Sequence, residues 1–472
     1  MKKKMSVSFK SAASSESGIS LIAVILVTIL MSTLSVVTLS LVVTDNRVTA
    51  NHLQSAQAFW LSEAGIERTL LWLRNQDPPP GGITPFQLYN NESFGDDDPN
   101  CSGTYSVTVD PLDGNANNYI KQYDIFSTGN EGTATRQIQI RVKMTTFGKY
   151  AYLTGSEGSS TIWFYTGDVI EGPLHSNDQI SIKGSPIFLG KVTSAYSSFN
   201  EGSPYDPTFK KGYQLGVPPI TFPTFQDVND NYWTMNSDPP PLIIDARFSR
   251  HSSIEFNADG TITYNVWHWY YGSKIYDIYN ATANLSDLKG AIFVQGDVGL
   301  KGTVNGQVTV IATDDINIDD DIRYADSNAQ GEPNPGCDDM LGIISSKNVI
   351  VTDNAANQNN VVIDAAILAL GNSFTVENYS SGSFRGTLTV WGSLSQKVRG
   401  PVGTFGGGSG GGGGGMGGGG MGGGGMGGGG GSSGQTGYQK DYHYDQRLET
   451  LVPPYYPTTG QYEVSSWQEV IL

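Results

Sequence analysis

The chain has 472 residues, 60 of them glycine, and a formal net charge of −17. Only 15% of its residues are charged, which separates it from disordered acidic tails, and an acidic chain with no basic stripe is unsuited to a nucleic-acid backbone. Two cysteines, Cys101 and Cys337, make neither a disulfide framework nor a zinc site; in an exported chain they allow one disulfide or two free thiols.

Charge and glycine are both unevenly spread. Residues 1–18 carry Lys2, Lys3, Lys4 and Lys10 against Glu16, while the remainder is acidic. Residues 19–43 then run without a charge. That is enough to span a hydrocarbon core of roughly 30 Å, and more than a secretory h-region of about 7–15 residues. The positive-inside rule keeps residues 1–17 in the cytoplasm, makes this a single pass through the inner membrane and exports the body to the periplasm or cell surface. Helical spacing continues through residues 44–75, with Ala56, Phe59, Ile66, Leu70 and Leu73 on one face, until the DPPP run at 77–80 ends it. The pattern predicts one helix within residues 19–76, about 85 Å long at 1.5 Å per residue. Its first half is apolar all round, and a globular domain lies on its amphipathic second half. A plain signal anchor is the alternative for residues 19–43.

The stretch Ala58-Phe59-Trp60-Leu61-Ser62-Glu63-Ala64-Gly65-Ile66-Glu67 resembles the AFxxxEAGxE segment of the PilX-type minor-pilin and pilus-assembly family. With the basic leader, a glycine and the two-part helix, the resemblance covers residues 16–75. It implies prepilin-peptidase cleavage between Gly18 and Ile19, other pilin subunits as partners, and a role for Glu63 in assembly, against which stands a merely solvated helix residue. Major pilins of this kind carry a glutamate five residues into the mature chain; here that position is Ala23. Such a glutamate is a buried partner for a neighbour's N-terminal amine, a charge pair that lipid makes obligatory. Its absence implies a tip or low-copy subunit.

Residues 77–147 read as a small pilin-like β head, with alternating strands at 105–109, 123–127 and 137–142 packed on the helix. Residues 148–405 change character. A strand–turn–strand unit recurs at 173–183, 291–301, 308–319, 341–352, 366–377 and 388–397, aligned on Gln179, Asp297, Asp315, Asn348, Ser373 and Ser393. No copy buries its apolar side alone, so the copies stack, which predicts a β-solenoid with residues 324–338 as a loop between coils. A β-sandwich of hairpins is the alternative. Asp259-Gly260 reads as a true hairpin turn, residues 195–250 as a wrap or insert over the solenoid, and the aromatic run at 263–280 either as a recognition patch or as a packed strand pair. Residues 406–437 form a glycine-rich loop, with 23 glycines between 406 and 434; Met416, Met421 and Met426 within it lack copper-site geometry. The tail 438–472 is aromatic and docks back on the body. The GPLHSN run at 172–177 and the Y-H-Y-D-x-R-L run at 442–448 resemble an uncharacterised domain that accompanies PilX-type N-termini in bacterial surface proteins.

No nucleophile elbow, zinc-binding helix, phosphate loop or C-x-x-C occurs, and the five histidines are scattered. The acidic runs Asp96, Asp97, Asp98 and Asp314, Asp315, Asp319, Asp320, Asp321 supply oxygens for calcium but lack the spacing of a calcium loop, and solvated turn carboxylates are the plainer reading. The fold class expected is therefore mainly β with one long N-terminal helix. The function expected is that of a non-enzymatic minor subunit of a type IV pilus or pseudopilus, without cofactor and without nucleic-acid partner. It would display its body toward surface glycans or proteins. A membrane-anchored surface adhesin or glycan-binding protein outside any filament is the alternative.

Overall fold

The computed structural model describes residues 16–76, 79–93, 102–112, 120–228, 242–404, 436–449 and 451–470. The leader up to residue 15, the acidic run at 96–98, Cys101 and the glycine tract lie outside the described residues. The architecture is one long helix followed by β-structure, in two compact units: Met1–Lys143 with Tyr462–Leu472, and Met144–Gln461.

In the first unit, helix α1 runs uninterrupted over Glu16–Arg74, 59 residues, about 89 Å. It ends as the sequence predicts. The amides of Asn75 and Gln76 reach back to the carbonyls of Trp72 and Leu73, tightening the last turn before the prolines. The sheet has five strands rather than the three expected. They are β1 (Phe86–Ser93), β2 (Thr104–Pro111), β3 (Gln122–Glu131), β4 (Ala134–Thr146) and, beside β4, the last strand of the chain, Thr458–Val470. β1 to β4 form an antiparallel meander. β1 escapes the pattern because its sequence, FQLYNNES, has no alternating apolar face and none of its residues is fully buried. In chain order the second unit interrupts the first, since residues 144–461 lie between two neighbouring strands of this sheet.

The second unit is largely a stack of parallel strands. One ladder runs in register through Leu242, Ile292, Val310, Ile343, Ile367, Leu394, Tyr152, Leu174, Val192 and Tyr213. Its eight inner rungs are buried, and only the two end rungs meet solvent. A second ladder carries Phe256, Gly302, Ile322, Ile363, Val390, Tyr442, Ile170, Phe188 and Phe209. A third contains Val298, Ile316, Val349 and Phe374. Asp297, Asp315, Asn348 and Ser373 immediately precede those four residues, so their alignment from sequence is the structural register. Ser393 is a correction: it pairs with Ala366 in the first ladder. It lies inside the long strand Phe384–Val398, which turns its corner at Gly392 without a turn sequence; a Cβ there would come within 1.9 Å of the Ala365 carbonyl.

The order of rungs is not the order of the chain. Residues from 150 onward begin in the middle of the stack and wind to one end near Tyr213. The chain resumes at the other end with Leu242 and winds back to Leu394, which lies beside Tyr152. Ile220, Phe222, Phe225 and Val228 belong to a second apolar cluster with Leu153, Phe293, Ile311, Ile344 and Leu368, so this part of the expected wrap lies along the outside of the first ladder. The gap between the two halves in the second ladder is filled by the strand Thr436–Tyr444, with Tyr442 between Val390 and Ile170. The first and last strands of the unit thus belong to one composite coil.

That coil borders a buried ion pair. Arg399, with no side-chain exposure, donates through Nη1 to Glu157 Oε2 at 2.8 Å and to the Ile162 carbonyl at 3.1 Å, and its guanidinium lies 4.0 Å from the centroid of the Phe164 ring. Glu157 Oε1 accepts from Thr154 Oγ1 at 2.6 Å and Ser176 Oγ at 2.8 Å. Breaking a buried pair by removing one member leaves the other charge without compensation and costs about 3–5 kcal/mol. Arg399→Met is therefore expected to lower the body's stability by that order in chemical denaturation, and adding Glu157→Gln is expected to restore a large part. An unchanged Arg399→Met, or a double variant worse than the sum of the singles, would contradict the assignment.

Candidate functional site

The segment that resembles the pilin-assembly motif is the seat of the helix on its sheet. Ala58, Ser62, Gly65 and Thr69 recur at intervals of four, three and four, and therefore share one face. Ala58, Ser62 and Thr69 are fully buried, and the two hydroxyls bond back to the carbonyls of Phe59 and Gly65. A Cβ on Gly65 would lie 2.3 Å from Ser127 Oγ and 3.0 Å from Tyr105 and Val107, and one on Gly129 of β3 would lie 2.0 Å from the Ala58 carbonyl. Small residues here let helix and sheet backbones come within contact of each other. Leu61, Ile66, Leu70 and Leu73 flank the stripe and are buried.

Glu63, the residue singled out for assembly, is half-buried and accepts a hydrogen bond from Trp467 Nε1 at 3.1 Å. Trp467 lies on the last strand, and its ring meets Phe59 edge-on at 6.4 Å. So Glu63 ties the helix to the strand that closes the sheet. The two residues stand 404 apart in sequence, and no local signal connects them.

Below the seat, every residue from 20 to 53 is exposed, and the helix is long and apolar enough to cross a membrane. Thr28, Ser32, Thr33, Ser35, Thr38, Ser40 and Thr44 each return their hydroxyl to a carbonyl three or four residues earlier. A segment in hydrocarbon has to satisfy its polar groups internally, and these do. Ala23 lies on this exposed half. Gly18 and Ile19 fall in the first turns of α1, with only their backbone described.

In the second unit the two motif runs meet. A Cβ on Gly172, whose φ is +105°, would lie 2.7 Å from Tyr444 Cβ. His175 contacts Thr193 Oγ1 through Nδ1 at 2.8 Å and Asn177 Oδ1 through Nε2 at 2.9 Å, and burial lowers its pKa. His443 contacts Glu171 Oε2 through Nδ1 at 3.0 Å and Asp441 Oδ1 through Nε2 at 2.9 Å, and stacks on Trp391 at 4.3 Å. Burial would depress His443, but its hydrogen bonds to Asp441 and Glu171 outweigh that and raise it to about 8. Arg447 bonds the Asp445 carboxylate and the carbonyls of Cys337 and Asp339. Both runs therefore register the composite coil.

The described acidic residues considered for calcium are bound to groups of the fold itself. Asp315 accepts from the amide and side chain of Asn348, and Asp319, raised in pKa by burial, accepts from Thr352. Asp320 accepts from the Asp321 amide, and Asp321 from the Val362 amide and Arg323. Asp315, Asp319 and Asp321 reach the next coil. Among the described residues, no three acidic, histidine or cysteine side chains are grouped to hold a metal ion.

The aromatic run is a strand pair packed on the body at its base and exposed toward its tip. Strands Thr261–Tyr270 and Ser273–Asn284 form an antiparallel ribbon closed by Tyr271 and Gly272, both with positive φ, a two-residue hairpin turn. Ile262 and Val266 anchor its base in the core, whereas residues 269–280 are all exposed. The Asp259–Gly260 turn, with Gly260 at φ +83°, connects the ribbon to Arg250–Phe256 as expected.

The family described as "Domain of unknown function (DUF4900)" matches residues 118–196. No curated protein matches the chain. Among solved structures the chain is similar to the competence-associated pilin ComZ from Thermus thermophilus, at 12% identity and a TM-score of 0.29 over 88% of this chain and 97% of that one.

Two outcomes are expected. Gly129→Ala meets a backbone carbonyl and costs about 1–3 kcal/mol, more than Gly65→Ala, whose nearest neighbour is a serine hydroxyl. Equal and negligible losses in melting of the detergent-solubilised chain would contradict the close seat. The raised His443 contributes stability that is full below its ordinary pKa of 6.5 and is lost as pH rises through about 8. The contribution is at most about 2 kcal/mol. His443→Gln should flatten the stability profile between pH 6.5 and 8.5; an unchanged slope would contradict the pairing.

Proposed function

We propose that this chain is a membrane-anchored minor subunit of a type IV pilus or pseudopilus-like filament, at its tip or in low copy, that carries a large β body outside the cell. The observation that carries the reading is one uninterrupted helix, Glu16–Arg74, which exposes an uncharged apolar stretch up to Val43 and is seated on a sheet in its second half by a small-residue stripe. The resemblance of residues 58–67 to the PilX-type segment supports the same reading. In this proposal the exposed half waits in the inner membrane and exchanges lipid for the helices of other pilin subunits. Ala23 leaves the chain without a carboxylate for the next subunit's amine, which limits it to the end of a filament. The role is structural, with no catalysis and no resident cofactor. The alternative of a plain anchored adhesin shares the display of the body and differs in processing.

N-terminal sequencing of the surface-exposed form decides between them. Processing by prepilin peptidase is expected to leave Ile19 as the first residue, and Gly18→Ala is expected to block it. An intact Met1 on the surface form would remove the pilin reading and leave the anchor.

A further inference from the structure

The ribbon at 261–284 presents more aromatic surface than a packed strand pair needs. Register pairs Trp267 with Tyr276 and Trp269 with Lys274. The rings of Trp267 and Tyr276 lie 6.3 Å apart, Tyr276 and Tyr279 are 4.7 Å apart, and Lys274 Nζ sits 3.7 Å from the Trp267 centroid and 4.9 Å from that of Tyr276. These residues form one continuous aromatic strip on one face of the ribbon. Trp269 is 59% and Tyr279 66% exposed. Near the opposite face, Asp277 accepts hydrogen bonds from Arg250 Nε at 3.2 Å and His268 Nδ1 at 3.1 Å. The ribbon is therefore sided, with a strip of mutually inclined aromatic rings and an ion-paired cluster.

Four kinds of partner use exposed aromatic residues, and the geometry favours one. An added strand would need the free edge of Ser273–Asn284, but register shifts at 264–267 and Asn280 at φ +50° break that edge, and Lys274 stands on it, the devices by which edges are kept unpaired. A bilayer would take the tip first, yet Lys274 and Asp277 follow the turn closely, and the strip runs down the ribbon to Tyr279. A nucleic-acid strand needs a cationic track. The chain's net charge is −17, and the ammonium of Lys274 is turned onto the two rings. The same acidic charge disfavours an anionic glycan. What remains is a neutral polysaccharide. The C–H face of a pyranose ring lies on an aromatic ring, while its hydroxyls can reach an indole N–H, phenol hydroxyls and the Lys274 ammonium.

We propose that the strip formed by Trp267, Trp269, Lys274, Tyr276 and Tyr279 binds a neutral polysaccharide through ring stacking. The proposal rests on the surface-display reading for its setting but is tested apart from it. The full-length chain in detergent is incubated with microcrystalline cellulose, chitin and insoluble mannan, and in parallel with single-stranded DNA, an anionic polysaccharide, and vesicles of zwitterionic and anionic lipid. Retention on at least one neutral polysaccharide is expected. It should fall tenfold or more in the Trp269→Ala, Tyr279→Ala double variant, with melting unchanged because both side chains are exposed, and should recover in the Trp269→Phe, Tyr279→Phe pair. No retention on any neutral polysaccharide, retention insensitive to the alanine pair, or retention only on DNA, anionic glycan or vesicles would overturn it. Protease accessibility of the ribbon on intact cells reports separately on display. A hidden ribbon with intact polysaccharide binding would fault the display reading and leave the site.

Discussion

The β body depends on one strand finding its place. Thr436–Tyr444 lies between the strand that carries Val390 and the strand that carries Ile170. Without it the second ladder is interrupted at Tyr442, between Val390 and Ile170, and only the first ladder, through Leu394 and Tyr152, still joins the two halves. Parallel solenoids are held by contacts between neighbouring coils, so a missing rung in the middle exposes two apolar faces at once. Several buried polar contacts of the unit lie at this joint. The Arg399–Glu157 pair, the His443–Glu171 contact and the Gly172–Tyr444 approach all lie there. Buried polar pairs are a costly way to gain stability and a good way to fix register. Here the His443–Glu171 contact and the Gly172–Tyr444 approach hold Thr436–Tyr444 against the coil that carries Ile170.

The helix solves a different problem with the same economy of space. An apolar surface that lipid or other helices must cover cannot also grip a sheet, so the two tasks are divided along its length. Residues 20–53 keep every side chain outward and return their hydroxyls to their own backbone. From Ala58 onward the stripe of small residues brings the helix backbone onto β2 and β3. The chain's last strand then adds to the same sheet, and Glu63 binds it through Trp467. The acidic residue of the assembly-like motif thus has an intramolecular partner within its own unit.

Features with local causes were legible in the sequence. The length and end of α1 follow from an unbroken apolar pattern and the prolines at 78–80. Strands β2, β3 and β4 follow from alternation. The register of Asp297, Asp315, Asn348 and Ser373 follows from repeated turns. What could not be read was set by partners distant in sequence. Ser393 was misaligned because Gly392 bends a continuous strand where the other copies have a turn. The break in rung order between Leu394 and Tyr152 leaves no mark in composition, since either half alone looks like an ordinary run of coils. The closing strand of the first unit reads as part of an aromatic tail because half its ladder belongs to β4, more than 300 residues earlier. The aromatic ribbon was visible as a cluster, but only the register shows that its rings share a face.

The first strand of the body and the strand Thr436–Tyr444 form one coil, stacked on Phe384–Val398. Thr389 and Asp441 face each other in that pairing, with Oγ1 and Oδ2 3.1 Å apart. In a full-length chain with Cys101 and Cys337 replaced by serine, Thr389→Cys and Asp441→Cys are placed to form a disulfide. Peptide mapping after oxidation is predicted to recover the 389–441 link as the dominant product. Recovery of two free thiols, or of links between molecules in its place, would contradict the composite coil and with it the account of how the body is closed.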